Sequence, residues 1–155
     1  MKNKQVAGIL NFLSRVPINN IKPQTMKMRV LKLHLTLTKV NEGLKEKTNN
    51  FREEILNETV TRSRMDEYFA LTQSLALVKT VAEREGLTLK LNTQFKAEKA
   101  ADESFIEKVK ALMEEEVTEK IDQFTYEEFL STMAKVGIQV TGQDLVGIYS
   151  ILKEE

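Results

Sequence analysis

Residues 26–37 read MKMRVLKLHLTL, and the fold turns on whether this stretch is a strand or a helix. Apolar residues at 26, 28, 31, 33, 35 and 37 nearly alternate with basic and polar ones, as in a half-buried strand. The alternation stops at Thr38. A second series runs on through Met26, Val30, Leu33, Leu37, Val40 and Leu44, and resumes at Phe51 and Ile55 after a polar step at Lys47. Steps of three and four residues sustained that far trace one face of a helix, so the stretch is read as helical. Met28, Leu31 and Leu35 form a second stripe beside the first, which predicts packing on two sides. The helix is expected near residues 23–57, about 50 Å long at the standard rise, with Pro23 in its first turn, where a missing amide hydrogen costs nothing. Gly43 is its weak point, since glycine destabilises a helix interior by about 1 kcal/mol.

Working outward, both prolines fall in PINNIKP, which separates the long helix from a short first one with Val6, Ile9, Leu10 and Leu13 on one face. Beyond the long helix, Ser63 with Asp66 and Glu67 opens a helix carrying Tyr68, Leu71, Leu75, Val78 and Ala82 and ending at Gly86. LTLKL at 87–91 then alternates directly after a glycine and is the strand candidate, with the apolar stretch 138–140 as its partner. Residues 94–104, QFKAEKAADES, read as an exposed connection or a solvated helix. Three capping patterns follow: Ser104 with Glu107 before Val109, Met113, Val117, Ile121 and Phe124; Thr125 with Glu128 before Phe129, Leu130 and Met133, stopped at Gly137; and Thr141 with Asp144 before Leu145, Ile148, Tyr149 and Leu152. The expectation is a mainly α protein, a bundle of five to six helices with a small two-stranded β element, in one domain over residues 1–155.

The absence of cysteine excludes a disulfide framework and thiolate metal sites and fits a reducing compartment. No apolar run reaches the roughly 18 residues of a membrane span, and the start MKNKQVAGILNFLSRV, interrupted by Asn11, is not read as a signal peptide. The triplet Asn57, Glu58, Thr59 matches the glycosylation pattern by chance on this reading. The formal net charge is zero, but its distribution is uneven. Residues 1–50 carry ten Lys/Arg against two acids, 51–100 carry eight of each, and 101–155 carry five against thirteen. Such polarity means a basic arm for an acidic partner, or complementary faces that meet within the fold or between copies.

Few residues can carry chemistry. His34, the sole histidine, has Val30, Leu31, Leu37 and Thr38 at helical spacing, with no carboxylate to make it a general base, and is read as structural. Glu114, Glu115, Glu116, Glu119 and Asp122 supply oxygen ligands for a hard cation in number, but consecutive helical residues diverge, so a solvated face is expected. FTYEEFLSTMAKVG has the look of an EF-hand helix without the calcium loop. No catalytic residue, metal or cofactor is therefore assigned. The basic third, with Lys2, Lys4, Arg15, Lys22, Lys27, Arg29, Lys32 and Lys39, could hold phosphates, and Lys22, Arg29 and Lys32 are spaced to share a helix side near its start, although Phe12 is its only aromatic residue, which argues against single-strand stacking.

The opening KQVAGILNFLSRVPINNIKPQTMKMRVLKL resembles the start of a family of small uncharacterised bacteriophage proteins, in which an ILNFL-like helix precedes a turn and a long basic helix. The ending IQVTGQDLVGIYSILKEE is similar to that family's ending, with its Gly-x-Asp helix start and Tyr-containing final helix. The resemblance covers about 50 residues and implies a phage setting in the virion or the host cytoplasm, without an activity or functional residues. Two functions are expected from these readings. One is a non-enzymatic viral structural protein making protein–protein contacts in virion assembly, through Lys27, Arg29, Lys32 and Lys39 at one end and Glu114, Glu115, Glu116 and Glu119 at the other. The other is an intracellular phage inhibitor or regulator that binds a host protein or nucleic acid through its basic N-terminal third. Neither involves a membrane.

Overall fold

A computed structural model describes residues 1–154. Among them are seven α-helices: α1 (Val6–Leu13), α2 (Gln24–Glu54), α3 (Arg62–Leu77), α4 (Val81–Gln94), α5 (Lys96–Glu114), α6 (Tyr126–Lys135) and α7 (Gly142–Ile148). Strands β1 (Phe124–Thr125) and β2 (Leu152–Lys153) form a two-stranded parallel sheet with Phe124 opposite Leu152 and Thr125 opposite Lys153. The protein is a mainly α helical bundle with a small β element, as the sequence predicts. Contacts divide it into two compact units, Met1–Glu46 with Leu112–Glu155, and Lys47–Ala111. Where length predicts one domain over 1–155, packing has two centres. A single calorimetric transition would mark them as one folding domain.

The stretch 26–37 is helical. It lies within α2, unbroken through Gly43 for 31 residues, or about 46 Å. Pro23 stands just before the helix, its carbonyl accepting the amide of Lys27 at 3.2 Å. The buried residues of α2 are Met26, Val30, Leu33, Leu37, Val40 and Leu44, the stripe read from the sequence. The second stripe does not form a second packed side: Met28 and Leu35 are exposed and Leu31 is half-buried. In the first unit Val6, Ile9, Phe12 and Leu13 of α1, Phe129 and Met133 of α6, and Ile148 of α7 complete the core. There α1 and α7 approach closely at Gly8 and Gly147, where a Cβ built on Gly8 would stand 3.8 Å from the Gly147 backbone.

Two expected caps are present as drawn. The Thr125 hydroxyl accepts the Glu128 amide at 3.3 Å while the Glu128 carboxylate accepts the Thr125 amide at 3.2 Å, and Thr141 with Asp144 repeats the arrangement at α7. The stop at Gly137 is also present, with φ +80° and the amides of Gly137 and Ile138 closing back on Ala134 and Met133.

Elsewhere local patterns yield to packing. The helix expected to open at Ser63 is capped by Thr61 instead, whose hydroxyl accepts the Arg64 amide at 3.2 Å, and it ends at Leu77 rather than Gly86, because Thr80 starts a new one by accepting the Glu83 amide. LTLKL is not a strand and does not pair with 138–140; it lies inside α4, where Leu87, half-buried, and Leu91, buried, lead by steps of four to buried Phe95, while Leu89 points to solvent. Ser104 is not a cap but a mid-helix residue of α5, which begins at Lys96 and includes buried Glu98. That helix ends at Glu114 and leaves Val117 and Ile121 outside it, because Met1 and Asn3 take the backbone groups just beyond: the Asn3 amide donates to the Glu115 carbonyl and the Val117 amide to the Met1 carbonyl, both at 2.9 Å. A run of glutamates at a helix C-terminus is also unfavourable toward the helix dipole.

Gly86 lies exposed within α4 with nothing within 4 Å of a built Cβ. Gly86→Ala is therefore expected to raise stability by about 0.5–1 kcal/mol, and Gly137→Ala, at positive φ, to lower it by about 1 kcal/mol. Urea midpoints of the two variants check both signs.

Candidate functional site

The basic and acidic ends of the chain meet within the first unit. Lys2 and Lys4 each donate to the Glu114 carboxylate at 2.6 Å, Arg15 pairs with Asp144, Arg29 with Glu128 at 2.8 Å, and Lys32 with Asp122 at 3.9 Å. Each pair joins a residue before Glu46 to one after Leu112. The first unit carries twelve basic and twelve acidic residues and the second eleven of each, so both are neutral.

The eight residues read as contact points take different places in this arrangement. Arg29 is a clasp: its guanidinium also donates to the Gln123 carbonyl at 2.9 Å and lies 4.5 Å from the centre of the Phe124 ring, holding α2 against β1 and the start of α6. Lys27 donates to the Asn19 carbonyl at 3.3 Å, Lys32 keeps its long contact with Asp122, and Lys39 is exposed. On the acidic side Glu114 is held by the two N-terminal lysines, while Glu115 and Glu116 contribute backbone to the pairing with residues 1–3. Glu119 is exposed and accepts from the Thr118 hydroxyl at 3.1 Å. Lys27, Arg29, Lys32 and Lys39 therefore do not face the Glu114–Glu119 cluster in these pairs; Lys2 and Lys4 do.

The lysines beside Glu114 hold its carboxyl well down, from an ordinary value of 4.5 to about 2, first through their hydrogen bonds and then through their charge. Because the folded value is depressed, this contribution to stability is present above the unfolded value and is lost as pH falls from about 4.5 through about 2. Lys2→Gln with Lys4→Gln is expected to flatten the acid limb of a stability–pH profile while leaving its shape above pH 6 unchanged, which denaturant titrations across pH 2–7 measure.

The chain matches no family model, no curated protein and no solved structure. Site chemistry must then be taken from the surface. His34 is half-buried on α2, its carbonyl accepting the Thr38 hydroxyl at 2.8 Å. Among the described residues no three His, Cys, Asp or Glu side chains gather to hold a metal, and no helix is long and apolar enough to cross a membrane.

Two surfaces stand out. At the start of α2, Lys22, Lys27 and Lys135 line a depression with Asn19, Pro23 and Gln24. In the second unit α3 and α4 form a helical hairpin closed by residues 78–80, packed through Met65, Tyr68 and Leu91 onto Val60 and Phe95. On this hairpin Leu77 is 80% exposed, Val81 72% and Leu89 65%. Sequence reasoning missed this surface by assigning 87–91 to a strand. The signal lay in the helical steps Leu87, Leu91 and Phe95, which leave Leu89 on the other side.

Proposed function

We propose that the protein is a non-enzymatic interaction module, a helical phage protein that makes protein–protein contacts in virion assembly and associates first with copies of itself through the outer surface of the α3–α4 hairpin. The exposed Leu77, Val81 and Leu89 carry this reading. Single exposed apolar residues are ordinary, whereas three large ones on one hairpin supply apolar area that association would cover. Neutrality of both units supports association between like copies, since no net charge holds them apart. The likeness of the chain ends to small bacteriophage proteins is what suggests the virion setting. Charge pairing between copies is given a smaller part, because several of the opposed charges pair inside the first unit.

Light scattering across a concentration series at low and high salt tests the reading. Association is expected that added salt does not weaken, and the triple variant Leu77→Ser, Val81→Ser, Leu89→Gln is expected to abolish it. A monomer at every concentration and salt would overturn self-association.

The lysine depression favours a second reading, an intracellular phage inhibitor or regulator acting in the host cytoplasm on nucleic acid or an acidic host protein. Among the described residues no carboxylate lies within 4.0 Å of the ammonium groups of Lys22, Lys27 or Lys135, so their charge remains available. Retardation of nucleic acid that falls steeply with salt and is weakened by replacing these lysines would bring this reading forward.

A further inference from the structure

The second unit contains a cleft of about 680 Å³ that the proposed interaction surface does not use. It opens between the last turns of α2, the first half of α3 and the middle of α5. Its apolar lining comes from Ile55, Leu56, Met65, Phe69 and Phe105. That volume falls in the range of small-molecule pockets, and the polar groups in the lining decide what enters.

The polar groups in this cleft are unevenly satisfied. Arg62 is engaged, donating to Glu53 at 2.7 Å. Arg52 lies 5.5 Å from the centre of the Phe105 ring, its charge directed to the aromatic face. The acids on the two facing helices are different. Neither Asp66 on α3 nor Asp102 on α5 forms an ion pair within 4.0 Å among the described residues, but Arg62 is near enough to Asp66 for their charges to attract, which leaves Asp102 the less compensated of the two. One oxygen of Asp102 accepts the Tyr68 hydroxyl at 3.4 Å, a long bond that leaves the other oxygen open. Burial raises the Asp102 carboxyl above its ordinary value, with Glu103 adding to the effect and Tyr68 opposing it. A carboxylate desolvated without a cation gains more from one than an exposed carboxylate does. Phe69, edge-on to Tyr68 with centroids 5.5 Å apart and partly exposed, adds an aromatic face beside the same opening.

We propose that this cleft binds an organic cation, an ammonium or guanidinium group carried on an apolar or aromatic body, with Asp102 as its principal anchor and Asp66 as the second. The apolar body lies against Ile55, Leu56 and Met65, and the cationic head sits between the two carboxylates. The same chemistry is offered by a free amine and by a lysine or arginine side chain flanked by apolar residues in a peptide. The inference does not depend on self-association through the hairpin.

The test is a titration of the full-length protein followed by amide NMR. Phenethylamine serves as the free cation and an acetylated, amidated Leu-Lys-Leu peptide as the side-chain source; 2-phenylethanol and phenylacetate are the neutral and anionic controls. Saturable shifts centred on residues 66, 69, 102 and 105 are expected with a cation and not with the controls. Asp102→Asn is expected to weaken binding at least tenfold and Asp66→Asn by less. Asn keeps an acceptor for Tyr68, and the unperturbed spectrum of each variant shows whether it is folded. Binding of phenethylamine identifies a free amine as the ligand, and binding of the peptide alone identifies a side chain. No saturable shift with either cation, equal binding of 2-phenylethanol, or unchanged affinity in Asp102→Asn would overturn the proposal.

Discussion

Arg64→Ala is expected to destabilise the protein by about 3 kcal/mol, because it strands a buried carboxylate. Glu98 is only 2% exposed, and its Oε1 accepts from Arg64 Nε at 2.9 Å. The same guanidinium donates to the Gln94 carbonyl at 2.6 Å and lies 4.2 Å from the centre of the Phe95 ring. It thereby joins α3 to the junction of α4 and α5 through charge, hydrogen bond and ring contact together. Removing one member of a buried pair typically costs about 3–5 kcal/mol, and the lower end applies because the Arg64 side chain is partly open to water. Replacing both members, Arg64→Met with Glu98→Leu, is expected to recover most of the loss, since no buried charge is then left without a partner and Glu67, which also pairs with Arg64, is open to water. Urea unfolding of the single and double variants measures the difference. A loss under about 1 kcal/mol in Arg64→Ala would show that water already reaches Glu98.

Phe129→Ala is expected to cost about 4 kcal/mol, the range of a large aromatic truncation in a closed core. Phe129 is fully buried on α6, with Phe12 of α1 at 5.9 Å and Phe124 of β1 at 5.3 Å between ring centroids. The residue therefore supports three elements at once, and the Phe124 ring also receives the Arg29 guanidinium. Phe129→Leu keeps much of the volume and is expected to lose about 1–1.5 kcal/mol. Guanidinium denaturation with amide reporters in α1 and α6 measures both. Near-equal losses in the two variants would mean that the space around Phe129 collapses freely.

The two stretches with alternating leucines show how far local pattern carries. In MKMRVLKLHLTL the helical series extends far enough to outweigh alternation, and residues 26–44 keep the predicted buried face. In LTLKL the same comparison needs Phe95, beyond the stretch taken as a strand, and without it the alternation reads wrongly. Caps are legible when nothing distant competes for the same backbone groups: Thr125 with Glu128 and Thr141 with Asp144 form as read. Ser104 has the same local pattern but sits inside α5, since the preceding residues are held helical through buried Phe95 and Glu98.

The charge pattern divides in the same way. Its polarity is visible in composition, but the choice between pairing within the chain and pairing between copies depends on which side chains the fold brings together. The fold brings Lys2 and Lys4 to Glu114, Arg15 to Asp144 and Arg29 to Glu128. Arg29 thus serves a clasp rather than an open basic stripe. The cleft holding Asp66 and Asp102 had no counterpart in the sequence reading, because its walls come from three separate helices.

Helical class, the buried face of α2 and the capped starts of α6 and α7 follow from periods and spacings within about ten residues, where backbone geometry alone relates side chains. The division into two units, the end of α5, the partners of the charges and the lining of the cleft arise from contacts between distant segments. In those places a hydrogen bond or buried ring contributed from elsewhere in the chain outweighs the local preference of a few tenths to about 1 kcal/mol per residue, and only tertiary packing selects the outcome.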